Sequence, residues 1–177
     1  MSKTILNFSG SSTKIVHFID PGTRAIKQFK PNIITGVSGG ALIMMPLLLG
    51  KGKDLVKILT KLKPSDFMET PFQTDKGNLN AHFFYVILQN LIGPLFGFKP
   101  RDGFTTMKPA RKLLKSFVSE EEFLHLKTKY EMYVGITSLS TSSEHAVKLN
   151  LLSYEHALDM IIASASIPIA TVTPFVY

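Results

Sequence analysis

Ile33-Ile34-Thr35-Gly36-Val37-Ser38-Gly39-Gly40-Ala41-Leu42-Ile43-Met44-Met45 is the stretch on which the fold turns. Its first three residues are β-branched, as in a short buried strand. Gly39–Leu49 is apolar on every side, which marks a helix enclosed by protein. Between them, Gly36-Val37-Ser38-Gly39-Gly40 reads G-x-S-x-G. A serine on a tight turn from strand to helix is the setting of a nucleophile elbow. Gly36 and Gly40 let strand and helix approach with no Cβ between them. The helix N-terminus behind Ser38 offers free N–H groups and a positive dipole end to a developing oxyanion. The competing reading is a Gly-rich connection whose serine caps the helix.

Outward from this stretch, Thr4–Phe8 is a short apolar run ending at Ser9-Gly10, a strand meeting a turn. Ile15, Phe18, Ile19, Ile26 and Phe29 keep helical spacing, interrupted at Asp20-Pro21-Gly22, so the spacing predicts a broken helix or a helix-turn-helix. Helices are expected over Lys53–Leu62, Leu79–Ile92, Lys108–Phe117 and Glu120–Lys129, the last opened by a Ser119/Glu122 capping box. Glu131–Leu139 and Ala146–Leu152 read as a β-hairpin, Tyr154–Ala165 as a helix stopped by Pro168, and Val172–Val176 as the start of a strand. Short apolar strands alternating with helices argue for an α/β fold, a three-layer α/β/α sandwich with a mainly parallel sheet.

The chain has 177 residues, 45% hydrophobic and 19% charged, which suits one globular domain and excludes a disordered or fibrous chain. With no Cys there is no disulfide framework and no thiolate metal site. Twenty Lys and Arg against 13 Asp and Glu give a net charge of +7. The positives scatter through Lys51–Lys63, Lys99–Lys115 and Lys127–Lys129 beside apolar segments, so a lipid surface is expected as partner rather than nucleic acid. Leu91-Ile92-Gly93-Pro94-Leu95-Phe96-Gly97-Phe98-Lys99-Pro100-Arg101 suits a loop that dips into a lipid interface or closes over the core. The longest apolar run, Ala41–Gly50, is broken by Pro46 and falls far short of the roughly 20 residues a membrane span needs. Met1–Phe8 lacks the pattern of a signal peptide. The expected location is cytoplasmic or peripheral to a membrane.

An elbow serine needs a base. His82, His125, His145 and His156 all follow Ser38, but none lies in a loop after a late strand, where the histidine of a Ser–Asp–His triad belongs. The other option is a Ser–Asp dyad, and here the chain resembles the patatin-like phospholipases. That family places a glycine-rich turn after the first strand, a G-x-S-x-G elbow some residues later, and an Asp in D-G-G or D-G-A after an S-x-I-P type turn. Here the elbow follows Gly10 by 28 residues, and Ala163-Ser164-Ala165-Ser166-Ile167-Pro168 with Thr173-Pro174-Phe175-Val176 resembles the segment before the aspartate.

The resemblance implies a lipid acyl hydrolase, an esterase of phospholipase A or lysophospholipase type. Ser38 would be its nucleophile, and the backbone N–H groups of Gly10, Ser11, Ser12 and Gly39 its oxyanion hole. It implies no metal or organic cofactor. The family's G-G-G-x-[RK]-G is replaced by Gly10-Ser11-Ser12-Thr13-Lys14-Ile15, in which Lys14 keeps the basic position. The dyad aspartate is not within the chain, so the expectation is a single domain over 1–177, incomplete at its C-terminus. Asp102-Gly103, followed by Phe104, reads as an ordinary turn, and Asp159 as a solvated helix position. A patatin-like domain that binds lipid or a partner without catalysis is the alternative.

Overall fold

The computed structural model describes residues 3–10, 12–62, 66, 106–138, 141 and 143–166. The expected helix Leu79–Ile92, the segment Leu91–Arg101, the Asp102-Gly103 turn, Ile167-Pro168 and the strand Val172–Val176 lie outside them.

β1 (Ile5–Phe8) leads through a 3₁₀ segment, Ser12–Phe18, into α1 (Ile19–Phe29). β2 (Ile33–Val37) is followed by α2 (Gly39–Leu48) and α3 (Gly52–Leu59). Then come α4 (Lys108–Phe117), α5 (Glu120–Lys129), β3 (Glu131–Ser138), β4 (Ser143–Lys148) and α6 (Tyr154–Ala165). The sheet has the order β1-β2-β3-β4, with β1, β2 and β3 parallel and β4 antiparallel to β3. The fold is therefore α/β with a mostly parallel sheet, bordered by helices. α2 packs on β2, α6 packs on β3, and the two helices touch each other.

One face of the sheet, carrying Ile34, Met132 and Val134, is wholly buried under these helices. On the other face Ile33, Thr35 and Tyr133 keep part of their surface. Ile34, Met44, Phe123, Met132 and Ile161 form the centre of the core; removing such side chains from water stabilises by about 1.5–3 kcal/mol each. The described helices are linked to one another by contacts as well as to the sheet.

Two sequence expectations are corrected here. Asp20-Pro21-Gly22 does not break α1. Pro21 stands in the first helical turn, where its missing N–H removes no bond of the α ladder. The change of geometry falls earlier, where the 3₁₀ segment passes into α1 at Ile19. The second hairpin strand lies earlier than Ala146–Leu152: it begins at Ser143, stops at Lys148, and gives way to a 3₁₀ turn, Leu149–Leu151. Asn150 causes the stop. Its Oδ1 accepts from the N–H of Met132, and its Nδ2 donates to the carbonyls of Lys127 and Tyr130. The side chain thus replaces the ladder and ties the end of α5 to the start of β3. The Ser119/Glu122 capping box is present as expected. Lys51 reaches the same junction, donating to the Phe117 carbonyl and to Glu122, whose carboxyl it holds below the ordinary range.

The entry edge of the sheet is cross-linked electrostatically. Glu131 accepts from Lys3 Nζ at 3.0 Å, Lys148 Nζ at 3.1 Å and the Tyr133 hydroxyl at 3.2 Å. These donors, Lys3 foremost, lower its pKa from 4.5 to about 2. A lowered carboxylate pKa stabilises the fold fully above the ordinary range, and that contribution is lost as pH falls toward the folded value. Urea unfolding of wild type and Glu131→Gln should therefore show a gap at neutral pH that closes between pH 4.5 and 2. Because these side chains are partly exposed, added salt should narrow the gap. A gap that stays constant through acid would show that the carboxylate is not held.

Candidate active site

The site grows from the carboxyl ends of two adjacent parallel strands, where open α/β sheets place their ligands. Phe8 of β1 and Gly36 of β2 are neighbours in register, so the chain leaves both strands at the same edge. Three close approaches need glycine. A Cβ at Gly36 would lie 2.8 Å from Ala41 Cα, one at Gly40 would lie 2.1 Å from the Phe8 carbonyl oxygen, and one at Gly10 would lie 3.0 Å from Ser38 Cβ and 3.5 Å from Ser38 Oγ. The first two bring the helix down onto the strands. The third places the turn after β1 directly against Ser38.

Ser38 itself has φ 54° and ψ −127°, a conformation open to glycine and costly for an L-residue. Such strain is of order 1–3 kcal/mol and concentrates at functional sites. The N-cap serine reading offers no compensation, because Ser38 occupies the N-cap of α2 and its side chain makes no capping bond. Among the described residues its hydroxyl has no hydrogen-bond partner. The turn is closed instead through the backbone: the Ala41 N–H donates to the Ser38 carbonyl at 3.0 Å. Gly39, the first residue of α2, is buried and carries an N–H that helical bonding leaves unused.

A residue to which the sequence reading gave no role of its own completes the turn. The Ser38 N–H donates to Ser164 Oγ at 2.9 Å, and the Ser164 hydroxyl donates to the Gly135 carbonyl at 2.6 Å. Ser164 stands in the last turn of α6, within Ala163–Ser166. The only signal in the sequence was a pair of serines in an alanine-rich helix end. The Ser38 amide is thereby committed.

Of the expected oxyanion residues, Gly10 and Gly39 are brought to Ser38. Ser12 opens the 3₁₀ segment, and Ser11 lies outside the described residues. Lys14 is exposed. His82 is outside the described residues. His125 and His156 stand on α5 and α6. His145 pairs with Ile136 on β4, two strands from β2, with Nε2 2.8 Å from Ser143 Oγ. Asp159 is not solvated as expected: its side chain is 13% exposed and binds Arg111, which also holds Glu155. Lys115 foremost, then the guanidinium, keeps the Glu155 carboxyl below its usual range. This network joins α4 to α6 and is structural.

Apolar side chains adjoin the elbow. Leu42, one turn into α2, and Ala165, next to Ser164, pack with Met107, Ala110 and Ile162. Val37, just before Ser38, is 44% exposed. No helix among the described residues is long and apolar enough to cross a membrane.

A strained serine between a parallel strand and a buried helix marks an α/β protein with a strand-turn-helix elbow. A sequence model of patatin-like phospholipases matches residues 22–177, and the chain belongs to that family. The matched span contains Ser38 and Ser164 and begins after the Gly10 turn. No curated protein matches the chain significantly. The family suggests lipid acyl hydrolysis and lipid substrates.

Proposed function

We propose that the protein is a serine hydrolase of lipid esters, with Ser38 as its nucleophile. The observation that carries this reading is the strained and uncapped Ser38, set against Gly10 at the carboxyl edge of the sheet. In the reaction Ser38 Oγ attacks the ester carbonyl and its proton passes to the dyad aspartate. In the family's pattern that aspartate belongs to a D-G-G or D-G-A motif. The oxyanion is held by the N–H groups of Gly39 and the Gly10–Ser12 turn. The alcohol leaves with the proton, and water then releases the fatty acid from the acyl-enzyme. The scheme uses no metal or organic cofactor. The +7 charge suits peripheral contact with an anionic lipid surface.

A second reading rests on Ser11, Ser12 and Ile15, which stand where the family has glycines. If these residues fail to present their N–H groups, the domain binds lipid or a partner without turning it over.

Fluorophosphonate labelling separates the two. The 177-residue chain is compared with a form carrying its native downstream sequence, each beside Ser38→Ala. Labelling of the longer form at Ser38, absent in Ser38→Ala, is the expected result. Two folded forms that both fail to label would leave the binding reading.

A further inference from the structure

We propose that Ser164 is a positioning residue for the nucleophile. Its hydroxyl clamps the elbow by linking the Ser38 backbone to β3, and this inference rests on the hydrolase reading above. The hydroxyl has a single proton, which goes to the Gly135 carbonyl at 2.6 Å. Its lone pair is then free to accept the Ser38 N–H at 2.9 Å. The three groups form a directed chain, N–H to O–H to C=O, in which each bond polarises the next. Both backbone groups sit at the junction of β2 and β3, where Val37 and Gly135 are paired. A Cβ at Gly135 would come 2.9 Å from Val37 Cγ2, so the strands are already as close there as side chains allow. A single hydroxyl from α6 is what spans the remaining gap.

The clamp acts where it matters to the chemistry. Ser38 at φ 54° has no capping bond to hold it, so its orientation depends on its backbone bonds, namely the Ala41 N–H to its carbonyl and its own N–H to Ser164. Losing the second frees the residue to relax toward negative φ, which swings Oγ away from the Gly10 turn. Misplacement of a reacting group by about 1 Å can cost about 100-fold in rate. The clamp acts on the orientation of Ser38 and makes no contact expected of the substrate, so KM should not change.

The test compares wild type, Ser164→Ala and Ser164→Thr in the full-length protein. Three measurements are made: kcat and KM on a p-nitrophenyl ester, the fluorophosphonate labelling rate of Ser38, and amide hydrogen exchange of Ser38 by NMR. Ser164→Ala should lower kcat and the labelling rate by about 100-fold with KM unchanged, and Ser164→Thr, which restores the hydroxyl, should recover most of the loss. Exchange at Ser38 should quicken by about tenfold or more in Ser164→Ala while Ile34 exchange stays the same. A folded Ser164→Ala that labels and turns over at the wild-type rate overturns the proposal, as does Ser164→Thr remaining as slow as Ser164→Ala. If wild type itself neither labels nor hydrolyses, the hydrolase reading fails. The exchange result then decides the clamp alone, and unchanged Ser38 exchange overturns it. Should Ser164→Ala not fold, Ser164→Cys keeps the volume, weakens both bonds and carries the same comparison.

Discussion

Ser38→Gly should be inactive and more stable than the wild type. The loss of activity follows from removing the nucleophile and is expected to exceed about 10⁴-fold, as for nucleophiles in other serine enzymes. The gain in stability follows from φ 54° and ψ −127°, which glycine adopts without penalty. About 1–3 kcal/mol of strain is released. Glycine's extra freedom in the unfolded chain takes back about 0.4–1 kcal/mol. The hydroxyl makes no bond among the described residues, so nothing else is lost. A net gain of about 1 kcal/mol corresponds to a rise of about 2–4 °C in Tm for a chain of this size. Ser38→Ala provides the control: it removes the same oxygen, keeps the strain, and should melt where the wild type does. Thermal unfolding and ester hydrolysis of the three proteins decide the matter. A Ser38→Gly variant that melts below wild type would show that the turn is not strained, and the main physical argument for a functional serine would go with it.

Gly40→Ala should be the most damaging single methyl in the protein. The added carbon would lie 2.1 Å from the Phe8 carbonyl oxygen, 2.6 Å from its carbon and 2.7 Å from the Ser9 carbonyl oxygen. All three are backbone atoms, so no side chain can rotate out of the way. Relief requires α2 to lift off β1, which would expose part of the Phe8 and Ile43 packing. Overpacking commonly costs 1–3 kcal/mol where side chains can adjust; here about 3 kcal/mol or more is expected, a large fraction of the 5–15 kcal/mol that keeps a domain folded. Gly36→Ala, against Ala41 Cα at 2.8 Å, should follow it. Gly50→Ala meets open space at φ 74° and should cost only about 1 kcal/mol. Urea unfolding gives the ranking directly. A Gly40→Ala protein no weaker than Gly50→Ala would mean that helix and strand do not approach as closely as the coordinates place them.

What the sequence made legible was local. The β-branched run before Gly36, the all-apolar helix after Ser38 and the Ser119/Glu122 box are each written in consecutive residues, and each was found. β4 lies outside the apolar pattern because Ser143-Glu144-His145 is polar and Glu144 and His145 are exposed; it is a strand only because β3 supplies its partners. Leu149–Leu151 carries strand-like hydrophobicity, yet the Asn150 side chain takes the hydrogen bond that the ladder would have used. At Asp20-Pro21-Gly22 the breaking residues fall in the one turn of a helix that tolerates them. Gly22 also makes room for the Phe8 ring, which a Cβ would approach to 2.7 Å, a requirement of packing that no local pattern records. In the site, Ser38 and its glycines were legible from the motif. Ser164 had been quoted only as part of a family-like segment, since its role depends on a fold that places it beside residues far away in the chain.

That distance has a bearing on biosynthesis. Ser38 and Ser164 are separated by 126 positions, and chains emerge from the ribosome at about 5–20 residues per second. β2 and α2, which flank the serine, are complete by Leu48, but the hydroxyl that fixes the turn arrives only with α6. A nascent chain therefore holds Ser38 without its geometry. On the proposed reading, the site is assembled only after α6 has left the tunnel and begun to pack.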